Sequence, residues 1–346
     1  MEQNLTMYSM TDLQSYHLSE ELLFGQLRST TEYARNELLY EGPNSDVFRA
    51  KDNLTGKMVV LKFLKTRHSD PIVPKIVFRE ITVLKNLNHE NVAKLYEVAT
   101  AGSFNNLCLV LEHVAHPLSK FIHHLYDGEP MPEDQSKCAA RHLLRGLRYL
   151  HRNNIAHRDI KVENLMVSED GILKVIDFGL SRRCSPQNRA VTPQVATRWY
   201  KPPEILLESP THGPEVDIWA AGCVIVELLT NQILFKGESD LQQINLIVDI
   251  LGKPLPNIWP GVVNCRVYSK QIKLKDQPFN RLNGRLGHLK CGPAIPMLER
   301  MFVYDPTRRA TANDCLQDDW FQKAPLPARR MNLAPEQLPY VSMSRT

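Results

Sequence analysis

No apolar run in this chain approaches the roughly 20 residues that span a bilayer. The longest, from Ile218 to Val226, is stopped by Glu227, so no transmembrane helix is expected. The opening residues (MEQNLTMYSMTDLQ) also lack a basic cluster followed by an apolar block, which argues against a secretory signal. Cysteine is sparse. The seven residues, at 108, 138, 184, 223, 265, 291 and 315, are odd in number, scattered and never spaced C-x-x-C. That pattern speaks against a zinc site or a disulfide framework and predicts reduced thiols in the cytosol or nucleus. An excess of one charge is missing too. The 42 Lys and Arg nearly balance 38 Asp and Glu, leaving +4, too little to argue for a nucleic-acid partner. What remains is an ordinary globular composition, 43% hydrophobic and 23% charged. Its 346 residues exceed what one core usually serves, so two lobes are expected.

Residues 1–31 have no long apolar pattern and read as an appendage, with a short helix expected near Ser19 to Leu27. From 32 to 65, the strand-like segments ELLYEG, SDVFRAKD and TGKMVVLKFLK are cut by Gly42-Pro43-Asn44 and by Asn53 to Gly56, predicting an antiparallel meander. Pro74 opens a helical stretch with Ile76, Ile81, Leu84 and Leu87 on one face. Two more strands are expected around Val92–Val98 and Leu107–His113. After Pro117 the pattern turns helical, and Ala140, Leu143, Leu144, Leu147 and Leu150 form an apolar stripe. The fold class is therefore α+β: a β-rich first lobe with one main helix (32–114), then a mostly helical lobe (115–321). A Pro-containing tail (322–346) follows, expected to be extended over the surface or without fixed structure. No internal repeat is visible.

The strongest chemical signal is His157-Arg158-Asp159-Ile160-Lys161-Val162-Glu163-Asn164, followed by Asp177-Phe178-Gly179. Phosphoryl transfer needs an acceptor oriented in line and cations that neutralise charge on the phosphate oxygens. In such a reaction Asp159 would accept the proton of a substrate hydroxyl and Lys161 would steady the transferring group. Asn164 and Asp177 supply oxygen ligands suited to magnesium.

These motifs, in this order and after MVVLK, resemble the eukaryotic protein kinases over residues 32–321. The resemblance implies a bilobal kinase fold and ATP with Mg2+ as cofactors. It implies that Lys62 holds the α- and β-phosphates and that Glu80 is its ion-pair partner. Adenine would lie under Leu39 and Val47 and meet the backbones of Glu112 and Val114, with Leu111 as gatekeeper. Lys161, two residues after the aspartate, implies serine/threonine rather than tyrosine specificity. The phosphate-covering loop departs from the family's G-x-G-x-x-G-x-V. It reads Tyr40-Glu41-Gly42-Pro43-Asn44-Ser45-Asp46-Val47 and retains only the second glycine. Since Gly lets backbone approach phosphates and Pro removes an amide donor, weaker or slower ATP use is expected. Pro43-Asn44 also replaces the Thr-Tyr pair that carries inhibitory phosphates in many cyclin-dependent kinases.

The segment DFGLSRRCSPQNRAVTPQVATRWYKPPE is similar to the activation segment of the cyclin-dependent-kinase-like group. Within it Thr192 matches the T-loop threonine, and Arg79, Arg158 and Arg182 match the cations that gather round its phosphate. The same match implies that Glu204 pairs with Arg309 and that Asp217 holds the catalytic-loop backbone. Thr197 is expected to pack against Asp159 and Lys161. Lys201 stands where the group usually has the Arg that shapes a pocket for proline. SPQNRAVTPQVATRWY, LHRNNIAHRD and WFQKAPLPA resemble the cell-cycle-related kinase branch, implying a role in cilium assembly or length through phosphorylation of other kinases. Expected partners are protein substrates and, at the helix around Glu80, a cyclin or another activator; an apolar face turned to the core fits those residues equally. The cytoplasm is the expected location, with the cilium and nucleus as further candidates. A second reading, a pseudokinase or scaffold with weak nucleotide binding, rests on the eroded glycine loop.

Overall fold

The computed structural model describes residues 4–8, 15–19, 27–65, 75–101, 107–123, 129–184, 197–270, 273–289 and 291–333. Near the N-terminus, β1 (Asn4–Tyr8) and β2 (Ser15–Ser19) pair as an antiparallel hairpin. Ser19 thus ends a strand and Leu27 lies in a bend, where a helix was expected; residues 20–26 lie outside the described residues. Leu5 and Met7, like Tyr16 and Leu18, alternate with polar residues, a period of two that suits strands.

A five-stranded antiparallel sheet follows, formed by β3 (Tyr33–Glu41), β4 (Ser45–Asp52), β5 (Met58–Leu64), β6 (Leu95–Thr100) and β7 (Leu107–Glu112). Its strand order is β3-β4-β5-β7-β6, with α1 (Lys75–Leu84) inserted between β5 and β6. The expected meander is there because the turns fall at Gly42-Pro43-Asn44 and at Gly56, whose φ of 72° suits glycine. Tyr33, Ala50, Val59, Leu61, Ala99, Cys108 and Val110 bury one face, with Phe48 and Phe63 meeting edge-on at 5.6 Å.

Residues 28–32 are stitched to this sheet. The Arg28 guanidinium lies 2.8 Å from Asp52, 3.0 Å from Glu97 and 3.0 Å from Glu32, and 4.6 Å above the Tyr33 ring. Hydrogen bonding to Arg28 holds the Asp52 carboxyl well below the usual carboxylate range.

The chain divides into two compact units: residues 1–87 and 94–113 make the sheet unit, and residues 88–93 and 114–339 the other. The second begins with β8 (His116–Pro117), α2 (Leu118–His123) and α3 (Glu133–Arg152). All five residues of the stripe read from sequence, Ala140, Leu143, Leu144, Leu147 and Leu150, are fully buried on α3. Short strands β9 (Ile155–Ala156), β10 (Leu165–Val167), β11 (Leu173–Val175) and β12 (Arg182–Arg183) pair as β11-β10-β8 and β12-β9. After α4 (Pro203–Leu206) comes α5 (Glu215–Thr230), which carries the apolar run Ile218–Val226. It is apolar on every side and buried throughout that run, as a helix at the centre of a core must be. Asn231, at φ 52°, ends it in the left-handed conformation. Then α6 (Asp240–Leu251) and four short helices complete the unit. All seven cysteines are buried free thiols.

Beyond the last helix, residues 322–333 run back across α3 and the β10–β11 turn. The Ala328 amide donates to the Asp134 carbonyl (3.1 Å), and the Met331 amide donates to the Gly171 carbonyl (2.8 Å). Lys137 of α3, with no exposed surface on its side chain, donates to the carbonyls of Lys323 (2.9 Å) and Pro325 (2.8 Å) and pairs with Glu133 at 3.0 Å.

Candidate active site

In the sheet unit, β4 places Val47 opposite Lys62 of β5 on one side and Tyr40 of β3 on the other. Lys62 Nζ lies 2.7 Å from Glu80 Oε1 of α1, and the Glu80 side chain is only 3% exposed. A buried pair this short fixes the ammonium at one point of the sheet. Leu39 and Val47 are half-buried. The ring of Tyr40 lies across Gly42, so that a Cβ on that glycine would clash with it. The Glu112 amide donates to the Lys94 carbonyl (2.8 Å). Arg79 is half-buried on α1.

In the second unit, the loop 157–164 is held from below by Asp217 on α5. One carboxylate oxygen accepts from the His157 amide (2.8 Å) and from His151 Nε2 (2.9 Å); the other accepts from the Arg158 amide (2.7 Å). Two successive amides converge on one side chain because Arg158 takes a φ of 72°, a conformation that costs about 1–3 kcal/mol. Burial alone would raise the Asp217 carboxyl, but the bonds from His151 and the Arg158 backbone hold it below the ordinary range. His157 ties the loop to the next strand. Its Nε2 donates to the Ile176 carbonyl (3.0 Å), Nδ1 accepts from the Asp159 amide (3.3 Å), and its ring meets Phe178 edge-on at 4.9 Å.

This scaffold gathers the expected polar groups. Asp159 Oδ2 accepts from Asn164 Nδ2 (2.9 Å) and lies 3.0 Å from Lys161 Nζ, which also donates to Thr197 Oγ1 (3.0 Å). Asn164 Nδ2 donates to the Asp159 carbonyl as well (2.8 Å), so its amide nitrogen is committed and its Oδ1 is the atom left for a cation. The Asn164 carbonyl accepts from the Ile176 amide (3.0 Å), which sets Asp177 beside it. Asp177 is exposed and at φ 58°. Among the described residues no cluster of three or more His, Cys, Asp or Glu could hold a metal. Two neutral-or-anionic oxygens suit a hard cation that takes its other ligands from phosphate and water, so the donor set fits Mg2+. Bound there with ATP, the ion would neutralise charge on the phosphate oxygens.

The support residues are placed as follows. Arg309 donates twice to Glu204 (2.7 and 2.9 Å), and both side chains are wholly buried. Tyr200 donates to Glu227 on α5 (2.8 Å). Lys201 is 3.5 Å from Asp240, which Arg198 also reaches at 2.9 Å. Val114 packs with Ala93, Met166 and Ile176. Arg158 is bonded to His212 Nε2 at 3.0 Å, and Arg182 lies in β12. Thr192 lies outside the described residues. Sequence reasoning missed His151, His212 and Glu227: each is joined to its partner over 27 or more positions, and nothing local marks them.

The protein kinase domain family matches residues 33–321 of the sequence, and the chain belongs to that family. Within it, the relatives are cyclin-dependent kinases. Human cyclin-dependent kinase 10 is 38% identical over 303 residues, covering 88% of this chain and 83% of that one. Human cyclin-dependent kinase 11A is 36% identical over 87% of this chain and 38% of its own length. Cyclin-dependent kinase G-2 of Oryza sativa subsp. indica is 33% identical over 87% and 43%. Among solved structures, the yeast RNA Pol II CTD kinase CTDK-1 complex contains a chain with a TM-score of 0.76 and 32% identity, covering 89% of this chain and 98% of that chain. The protein is a serine/threonine protein kinase of the cyclin-dependent-kinase-like group. Its fold is the kinase fold, with a β-sheet N-lobe and a helical C-lobe. Kinases of this group use ATP and Mg2+.

Proposed function

We propose that this kinase is switched on by phosphorylation of Thr192 and that it acts on the activation loops of other kinases. The observation that carries the catalytic half is the Asp159–Lys161–Asn164–Thr197 network, in which one carboxylate is oriented by an amide and an ammonium. Asp159 then takes the substrate hydroxyl's proton while Lys161 faces the developing phosphate charge. The switch is supported by Arg158 and Arg182 in the same unit and by the threonine in the segment between them and Thr197. A phosphate dianion recruits charge-assisted bonds from such arginines and orders the segment that carries it.

The segments SPQNRAVTPQVATRWY and WFQKAPLPA support a place in the cell-cycle-related kinase branch, hence action in the cytoplasm and cilium, with the nucleus as a second location. The substrate would be the activation loop of a male-germ-cell-associated-type kinase, and a cyclin or another activator would dock at α1. A pseudokinase reading is favoured by one feature, the Tyr40 ring laid over Gly42. Radiolabelled transfer to an activation-loop peptide separates the two. Asp159→Asn should lower the rate by about 10²–10⁴-fold, and Thr192→Ala by roughly 5–150-fold. Equal labelling by wild type and Asp159→Asn would mean that the transfer is not this enzyme's, and the kinase reading would lose its support.

A further inference from the structure

The register of β3 against β4 breaks just before the phosphate-covering loop. Leu38 pairs with Phe48 and Tyr40 with Val47, so Leu39 and Tyr40 together oppose a single residue. In unbroken register Tyr40 would oppose Asp46, and its side chain would leave on the other face of the sheet. The extra residue turns it over. Val47 in turn opposes Lys62 of β5. Directly opposite residues share a face, so Tyr40, Val47 and Lys62 stand in a row across three strands, the backbones at its two ends about 10 Å apart.

The loop at the end of that row is short of donors. Gly42 gives its amide to the Ser45 carbonyl (3.0 Å), and Pro43 has none to give. Tyr40, 50% exposed, lays its ring along the loop, with Cζ and Oη filling the place a side chain on Gly42 would take. Among the described residues its hydroxyl has no hydrogen-bond partner. A phenol carries one O–H donor, and ionised phosphate oxygens only accept. The bond between them is charge-assisted.

We propose that Tyr40 is a nucleotide-binding residue: its hydroxyl donates to a phosphate oxygen of ATP, in place of the loop amides that Pro43 and the Gly42 turn withhold. A bare ring here would only cover Gly42. The hydroxyl gives the phosphates a directed partner on the face of the sheet that carries Lys62, and the bulge at Leu39 puts it there. The inference rests on ATP use by this kinase and is independent of the Thr192 switch.

The test is titration calorimetry on the full-length, unphosphorylated chain with two probes, a non-hydrolysable ATP analogue with Mg2+ and adenosine. Tyr40→Phe keeps the ring over Gly42 and removes the hydroxyl. It should raise the Kd of the analogue roughly tenfold, as the loss of a hydrogen bond to a charged group does, and leave that of adenosine unchanged. Equal affinity of wild type and Tyr40→Phe for the analogue overturns the proposal, since the ring alone would then account for the residue. Tighter binding by Tyr40→Phe overturns it too, because the hydroxyl would be an obstacle. So does an equal loss for both probes, which would put the contact on the nucleoside. A wild type that binds neither probe ends the ATP reading itself, and the role of Tyr40 with it. Failure of the Thr192 switch would leave all of these affinities as they are.

Discussion

At Glu227 two demands conflict. Its carboxylate accepts from Tyr200 in the segment that precedes α4, yet its side chain is 2% exposed. Burial raises its pKa from 4.5 to about 7, against the Tyr200 bond and with help from the charge of Glu163. A raised carboxyl binds its proton more tightly when folded. Its contribution is thus complete below the ordinary value of 4.5 and is lost as pH climbs through about 7. The loss amounts to about 3 kcal/mol. Glu227→Gln keeps an acceptor for Tyr200 and cannot ionise, so urea unfolding should show it gaining about 3 kcal/mol on wild type between pH 4.5 and 7.5. His142, pushed down to about 4 mainly by burial, acts in the opposite sense below pH 6.5, so only the difference between the two proteins isolates Glu227.

Among the elements, the strap 322–333 runs extended, as its sequence suggests, but the sequence does not reveal what it binds. Its Pro, Ala and Arg residues carry no periodic signal, because what it offers is backbone: two carbonyls to Lys137 and one to Arg141. Such contacts are indifferent to side-chain identity and leave no pattern to read. By contrast, α3 was legible from its stripe, and β3 to β5 from the glycines and asparagines between them. The catalytic loop was legible because its chemistry needs particular residues at fixed spacing; His212 and Glu227 were not, because any acceptor of the right reach would serve. Ending the chain at Phe321 would strip Lys137 of two of its three partners and should cost roughly 2–4 kcal/mol in a denaturation midpoint. Lys137→Met should destabilise the full chain and restore part of the loss in the shortened one, a coupling that a double-mutant cycle reads directly.

For the molecule as a whole, the Asn164–Asp177 oxygen pair makes a prediction about ligand-linked stability. ADP with Mg2+ at about 100 times its Kd should stabilise the chain by about 2.7 kcal/mol. That is a rise in Tm of several degrees. Removing the metal with a chelator, or changing Asp177→Asn in its presence, should reduce the rise to that of the nucleotide alone. An undiminished rise in the Asp177→Asn protein would show that the metal is held elsewhere.

The seven thiols give the native chain a built-in clock. All seven are buried, and burial lifts their ionisation, to about 12 for Cys108 and about 11 for Cys138. An alkylating reagent in ordinary buffer therefore meets no target until some part of the protein opens, and its rate times the opening instead of the chemistry. Because Cys108 alone belongs to the sheet unit and the other six to the helical one, the peptide that acquires the tag first names the lobe that came apart.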